Sequence, residues 1–134
     1  MKHQSRIGLL VLLLQSSSCW AEPELSVTLS ALLERQHLAN LAQIQQQGQH
    51  NQLSLQQQQD ANMALIWQFG LNNQADLLQT GQGNTLLLLQ KGDDNLATIL
   101  QRGSDNFLQL EQQGSASFSI EQIGDGGAVS VTQY

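Results

Sequence analysis

Seven asparagines recur at a constant spacing of eleven residues: Asn40, Asn51, Asn62, Asn73, Asn84, Asn95 and Asn106. Six residues after each stands a glutamine, Gln46, Gln57, Gln68, Gln79, Gln90, Gln101 and Gln112, and two later units keep that residue as Gln122 and Gln133. A primary amide donates and accepts at once, so a column of identical amides can bond along its own length with no other group present. The chemistry on offer is therefore cohesion rather than turnover. His37 and His50 stand thirteen residues apart, which is no zinc-ligand spacing. Serines are plentiful, but no base and orienting group accompany them, so no catalytic, cofactor-binding or metal residues are expected and the chain is not read as an enzyme. Asp60, Asp93, Asp94, Asp105 and Asp125 fall between the amide-bearing stretches without the Gly-Gly-x-Gly-x-Asp pattern of a calcium-loaded roll, and they read as charges that oppose sideways aggregation. Lys91 and Arg102, each one position past a strand glutamine, read as solvated charges.

The residues between the amides say which element carries them. Apolar side chains fall two and four positions after the Asn, as in Ala42/Ile44, Leu53/Leu55, Ala64/Ile66, Leu86/Leu88 and Leu108/Leu110, and again in Phe118/Ile120 and Val129/Val131. An eleven-residue period also fits three turns of a right-handed supercoiled helix. On a helix, however, positions two apart lie about 200° from one another, whereas on a strand they share a face. Gly48, Gly70, Gly81, Gly92, Gly103 and Gly114 occupy the ninth position of their units, with Gln59 the one exception. Each would cost a helix about 1 kcal/mol, yet suits a turn after a strand. Each unit thus reads as a strand of about seven residues and a four-residue turn. Past Gly114 the turn loses one residue, and with that deletion nine units run from Asn40 to Tyr134, the last two without the Asn.

A single strand cannot bury its inner face, so two units must form one coil, with a strand on each side. The fold expected is all-β: a cross-β, amyloid-like β-solenoid of about nine strand–turn units, two per coil. Stacking coils at about 4.8 Å puts each Asn over an Asn and each Gln over a Gln. Both ends then expose unpaired backbone. The outer faces are unequal. Odd-numbered units present Met63, Leu65, Trp67, Leu87, Leu89 and Phe107, while even ones present Gln52, Ser54, Gln56, Gln74 and Asp76. The apolar side is a candidate interface, with Trp67 as its anchor.

The chain's 134 residues allow one small domain. Lys2, His3 and Arg6 precede the apolar run Ile7 to Leu14, and small residues lead to Ala21, the pattern of a secretory signal cut after that residue. Lipid attachment at Cys19 is disfavoured because Ser16 stands where such signals carry an aliphatic residue. Removal of residues 1–21 leaves 22 Gln and 8 Asn, no cysteine, and three basic residues (Arg35, Lys91, Arg102) against eleven acidic ones. A net charge of −8 argues against nucleic acid as a partner. Segment 22–39 precedes the repeats and reads as a flexible lead-in, within which Ser26 to Leu38 has the pattern of an amphipathic helix.

Units such as Asn84-Thr-Leu-Leu-Leu-Leu-Gln-Lys-Gly and Asn95-Leu-Ala-Thr-Ile-Leu-Gln-Arg-Gly resemble the curlin repeat, Asn-x-Ala-x-Ile-x-Gln-x-Gly, of bacterial curli fibre subunits. The resemblance spans Asn40 to Tyr134. It implies a functional amyloid secreted through the periplasm and a dedicated curli secretion channel, helped by accessory factors, that joins the biofilm and adhesive matrix as extracellular fimbriae. It also implies that segment 22–39 is an address read by that channel. Within the family the minor, nucleating subunit is the nearer match: the chain has only eleven Gly, is Leu-rich, carries Lys91 and Arg102, and ends in the irregular Val129-Ser-Val-Thr-Gln133. The implied partners are the major curlin subunit, further copies of the same chain and the outer cell surface. The missing Asn at positions 116 and 127, Gln59 in place of Gly, and the acidic balance depart from the family pattern. The readings left beside it are a major curlin subunit and, more distantly, a monomeric β-solenoid whose outer face binds a ligand such as ice or polysaccharide.

Overall fold

A computed structural model describes residues 10–14 and 40–134. Among these the regular elements are all strands: β1 (Leu10–Leu14), β2 (Leu41–Gln49), β3 (Gln52–Gln58), β4 (Met63–Leu71), β5 (Gln74–Thr80), β6 (Thr85–Lys91), β7 (Leu96–Arg102), β8 (Phe107–Gln113), β9 (Ser117–Ile123) and β10 (Ala128–Gln133). They form two parallel sheets, one ordered β1-β2-β4-β6-β8-β10 and the other β3-β5-β7-β9. Successive strands of the repeat alternate between the sheets, so β2 to β10 wind a β-solenoid of nine strands and about four coils. Sequence pattern and structure agree on this architecture.

The register repeats the period. Ala42 pairs with Ala64, Ile44 with Ile66 and Gln46 with Gln68, each offset by one coil of two units. Past Gly114 the offset falls by one: Gln101 pairs with Gln122 and Gln112 with Gln133. The one-residue deletion sits in the turn at Ser115–Ala116, so the turn absorbs it and the strands stay in phase. A slip within a strand would instead have turned its apolar set outward.

Between the sheets lie the paired apolar positions. Ala64, Ile66, Leu86, Leu88, Ile99, Leu108 and Leu110 have at most 1% exposure. Burial of each Leu or Ile stabilises by about 1.5–3 kcal/mol. The equivalent residues of the end coils, Leu53, Leu55, Phe118, Ile120, Val129 and Val131, are only partly buried because no coil covers them.

The strands begin one residue after the Asn position; six of the nine end one residue past the Gln, β10 ends on Gln133, and β2 and β4 run to nine residues where about seven were expected. Every turn except the shortened one after Gly114 holds two left-handed residues. The first is the ninth position of the unit, with φ of 122° at Gly48, 121° at Gly70 and 121° at Gly103. The second is the eleventh, with φ of 55–58° at His50, Ala61, Asn72, Asp94 and Asp105, a conformation most accessible to Asn, Asp and Gly. Glycine at the ninth position has a second cause. A Cβ on Gly48, Gly70, Gly81 or Gly103 would collide with the carbonyl oxygen of the glycine stacked on it in the next coil. Gln59 meets the same column by opening to φ 71°, and the Gly81 N–H to Gln58 carbonyl bond above it lengthens to 3.3 Å against 2.9 Å at Gly92, Gly103 and Gly114.

β1 lies parallel to β2, Leu10 opposite Leu41 and Leu14 opposite Gln45. These five residues belong to the apolar run of the expected signal. The expected cleavage site, Cys19, His37 and segment 22–39 with its helical pattern lie outside the described residues.

Candidate functional site

The glutamines of one sheet side stack Nε2 to Oε1 in a single direction. Gln46 Nε2 donates to Gln68 Oε1 at 2.6 Å, Gln68 to Gln90 at 2.7 Å, and Gln90 to Gln112 at 3.0 Å. On the other side Gln57 donates to Gln79 at 2.9 Å, Gln79 to Gln101 at 2.9 Å, and Gln101 to Gln122 at 3.1 Å. The second Nε2 hydrogen crosses the coil to a backbone carbonyl, as from Gln90 to Gln74 at 3.0 Å and from Gln79 to Met63 at 3.1 Å. Gln57, Gln68, Gln79, Gln90 and Gln101 thus each tie their coil to the next and their two sheets to each other. Gln68, Gln79, Gln90, Gln101 and Gln112 are fully buried, where an amide without partners would cost about 1–3 kcal/mol.

The asparagines stand at the strand entrances and bond differently. Their Oδ1 accepts the backbone N–H of the Asn one coil on, at 3.0 Å for Asn62 on Asn40, 3.0 Å for Asn73 on Asn51 and 3.1 Å for Asn84 on Asn62. Their Nδ2 donates to the turn carbonyl of the next coil, Asn62 to Gly81 at 2.8 Å and Asn84 to Gly103 at 2.8 Å. The Asn therefore satisfies the turn, and Asn84, Asn95 and Asn106 also donate to the Asn Oδ1 one coil back, at 3.0, 2.8 and 3.1 Å. Asn40 reaches the Gln59 carbonyl at 2.7 Å, so the departure from Gly keeps this bond. Asn51 and Gln46, in the first coil, and Gln133, in the last strand, are half-buried; the other ladder residues, Asn95 and Asn106 among them, are buried.

Among the described residues four buried side-chain atoms have no partner: Gln57 Oε1, Asn95 Oδ1, Gln122 Nε2 and Gln133 Oε1. Their positions mark the ends. Gln57 is in the first coil, with no glutamine beneath it. Gln122 and Gln133 are in the last two strands, and Gln112 Nε2 turns to the Leu96 and Ala116 carbonyls at 3.1 and 3.2 Å rather than to Gln133. Asn95 lies under Ala116, one of the two units without Asn. The other such unit has Gly127, whose N–H still bonds Asn106 Oδ1 at 3.0 Å.

The outer face of the β1-β2-β4-β6-β8-β10 sheet holds the apolar set. Met63, Thr85 and Phe107 form one row, Leu65, Leu87 and Gln109 the next, and Trp67, Leu89 and Glu111 a third. The six apolar residues expected there, Met63, Leu65, Trp67, Leu87, Leu89 and Phe107, are all half-buried on this face. The seven-residue strand assumed from the period missed Phe69, which extends the patch because β4 runs two residues further; exposed Leu71 ends that strand. Its signal was the unbroken apolar alternation past Gln68. On the opposite sheet Leu78 pairs with Leu100 amid polar neighbours.

The turn aspartates hold backbone as well as charge. Asp93 Oδ1 accepts the Leu71 N–H at 2.8 Å and Asp125 Oδ1 the Ser104 N–H at 2.7 Å, each from the coil beneath. Lys91 and Arg102 are exposed.

No curated protein and no solved structure matches the chain. Residues 81–114 match the curlin associated repeat. That stretch covers β6 to β8 with their turns, and the same eleven-residue unit, register and amide bonding continue on both sides of it. This stretch of the chain is a curlin associated repeat.

Proposed function

We propose that the chain is an exported minor subunit that nucleates curli-like amyloid fibres at the bacterial cell surface, in the service of adhesion and biofilm. The observation that carries this reading is the contrast between middle and ends. From Gln46 to Gln112 and from Gln57 to Gln122 the glutamine columns are continuous, while both ends present parallel strand edges and unpartnered buried amides. An open parallel edge with its inner face already formed spares an incoming chain the nucleation step, because strand addition then gains main-chain bonds immediately. The absence of Asn at positions 116 and 127 supports a starter over a builder: a fibre of this chain alone would lose the Asn bonds at every junction. The apolar patch around Trp67 supports retention at the outer surface or on an accessory factor.

Seeding tests the reading. Substoichiometric mature chain should abolish the lag of a cognate major subunit followed by thioflavin T. Vigorous polymerisation alone, with no shortening of that lag, would favour a major subunit instead. A chain that stays monomeric and leaves the lag unchanged would favour the ligand-binding solenoid.

A further inference from the structure

Among the described residues the solenoid has an odd number of strands, five in one sheet (β2, β4, β6, β8, β10) and four in the other (β3, β5, β7, β9). The strand due after β10 would therefore lie on β9, in the opposite sheet. The first described solenoid strand of a second copy is β2, which belongs to the first sheet. Two head-to-tail stacks are possible. In the straight stack β2 of the next copy lies on β10, leaving a gap one strand wide between β9 and the next copy's β3. In the half-turn stack the next copy is rotated by 180° about the solenoid axis, so that its β2 lies on β9 and its β3 on β10, and every position is filled.

We infer that copies of this chain stack head to tail with a half-turn between them; this rests on the fibre-forming reading above. The end amides decide between the two stacks. Gln122 Nε2, at the C-terminal end, is a buried donor with no acceptor, and Gln57 Oε1, at the N-terminal end, is a buried acceptor with no donor. In the half-turn stack Gln46 Oε1 of the next copy lies over Gln122 Nε2, and Gln133 Nε2 lies beneath Gln57 Oε1. Both columns continue in the direction they follow within the chain. In the straight stack Gln122 and Gln57 face each other across two strand spacings, about 9.6 Å, and neither is satisfied. The partly buried end residues agree, since Phe118 would be covered by Ala42, and Val131 by Leu55. The edge of β2 accepts a parallel strand in register, as its pairing with β1 shows. β1 ends opposite Gln45 and leaves Gln46 uncovered. With the expected removal of residues 1–21, β9 of the preceding copy enters that place. A heterologous contact of this kind does not close on itself and produces a filament. The apolar face then alternates from side to side along a fibre of this chain.

Disulfide trapping on the outer face tests the stack. The chain produced without residues 1–21 holds no native thiol. In that background, Gln43→Cys (β2) is combined either with Ser119→Cys (β9) or with Ser130→Cys (β10), all three at outward positions. In-register parallel neighbours have Cα atoms about 4.8 Å apart, within disulfide range. Within one chain Gln43 and Ser119 lie on opposite sheets, so a bond between them joins two copies. Oxidised fibres of Gln43→Cys/Ser119→Cys should run as a ladder of covalent multimers on non-reducing gels, with Gln43→Cys/Ser130→Cys remaining monomeric. A ladder from the second pair instead, dimers from either single cysteine, or monomers throughout in fibres that pellet normally would overturn the half-turn. If the cysteine-free chain itself neither pellets nor binds thioflavin T, the fibre-forming reading falls, and the half-turn with it.

Discussion

Replacement of Gln90 by Ala isolates the worth of one rung. Gln90 is fully buried, accepts from Gln68 Nε2 at 2.7 Å, and donates to Gln112 Oε1 and the Gln74 carbonyl at 3.0 Å each. Truncation leaves Gln112 Oε1 and the Gln74 carbonyl without this donor, while Gln68 Nε2 keeps its longer bond to Gln52 at 3.3 Å. One orphaned buried acceptor costs about 1–3 kcal/mol. The vacated space adds a cavity cost, within the roughly 2–5 kcal/mol range of large-to-Ala changes in closed cores. A total of about 3 kcal/mol or more should raise the soluble concentration left after fibre assembly at least roughly a hundredfold, at about 1.4 kcal/mol per decade. Gln109→Ala, on the outer face between Leu87 and Ser130, should change it by less than about threefold, a surface effect within about 0.5 kcal/mol. The decisive variant is Gln90→Leu, which fills the space and still breaks the column. The residual concentration, read by sedimentation, should rise at least fivefold for Leu, since the orphaned partner remains. Assembly of Gln90→Leu as complete as the parent chain's would refute the amide argument and leave only packing.

Three other perturbations separate the turns and the outer face. Gly103→Ala should lower fibre stability by about 2–5 kcal/mol, through collision with the Gly124 carbonyl on top of a left-handed backbone, whereas Gly114→Ala, with open space above it, should lose only the backbone part of about 1–2 kcal/mol; equal denaturation midpoints would dismiss the glycine column. Gln59→Gly should raise stability by roughly 0.5–1 kcal/mol by relieving φ 71°, and a lower guanidinium midpoint would show that Gln59 contributes something the turn geometry hides. Trp67→Gln with Leu87→Gln should keep seeding in solution while releasing the chain from cells into the medium, read by blotting both fractions; normal retention would leave the apolar patch without that role.

The architecture was legible because three signals share one period. The apolar pair two residues apart chose strand over helix, the Gln six residues past the Asn kept that face inward, and the Gly marked each turn. Burial of Ile66, Leu88 and Gln90 follows from these alone. The deletion at Ser115–Ala116 was also legible, since a turn can lose a residue without reversing a strand. What the sequence did not disclose is geometric. The period does not say that Asn bonds to the turns as well as to its own column while Gln bonds to its column and across the coil, because both residues carry the same amide. It does not set the direction of the Gln column, which decides that Gln122 lacks an acceptor and Gln57 a donor. Phe69 was passed over because the unit was given a fixed strand length, although β4 continues to Leu71. The bonds of Asp93 and Asp125 to the coil beneath depend on side-chain reach within a turn, which spacing alone does not encode.

The most direct test of the solenoid measures which glutamines touch in the fibre. In-chain stacking places Gln68 Nε2 2.7 Å from Gln90 Oε1, a contact between residues one coil apart in the same molecule. Solid-state NMR on fibres of specifically labelled chain diluted in unlabelled chain should show the Gln68–Gln90 side-chain contact at undiminished intensity per labelled molecule. An amyloid of flat chains stacked in register would instead place Gln68 on Gln68 of its neighbour, and its side-chain contacts would fade on dilution; that result would contradict the coiled fold and everything built on it.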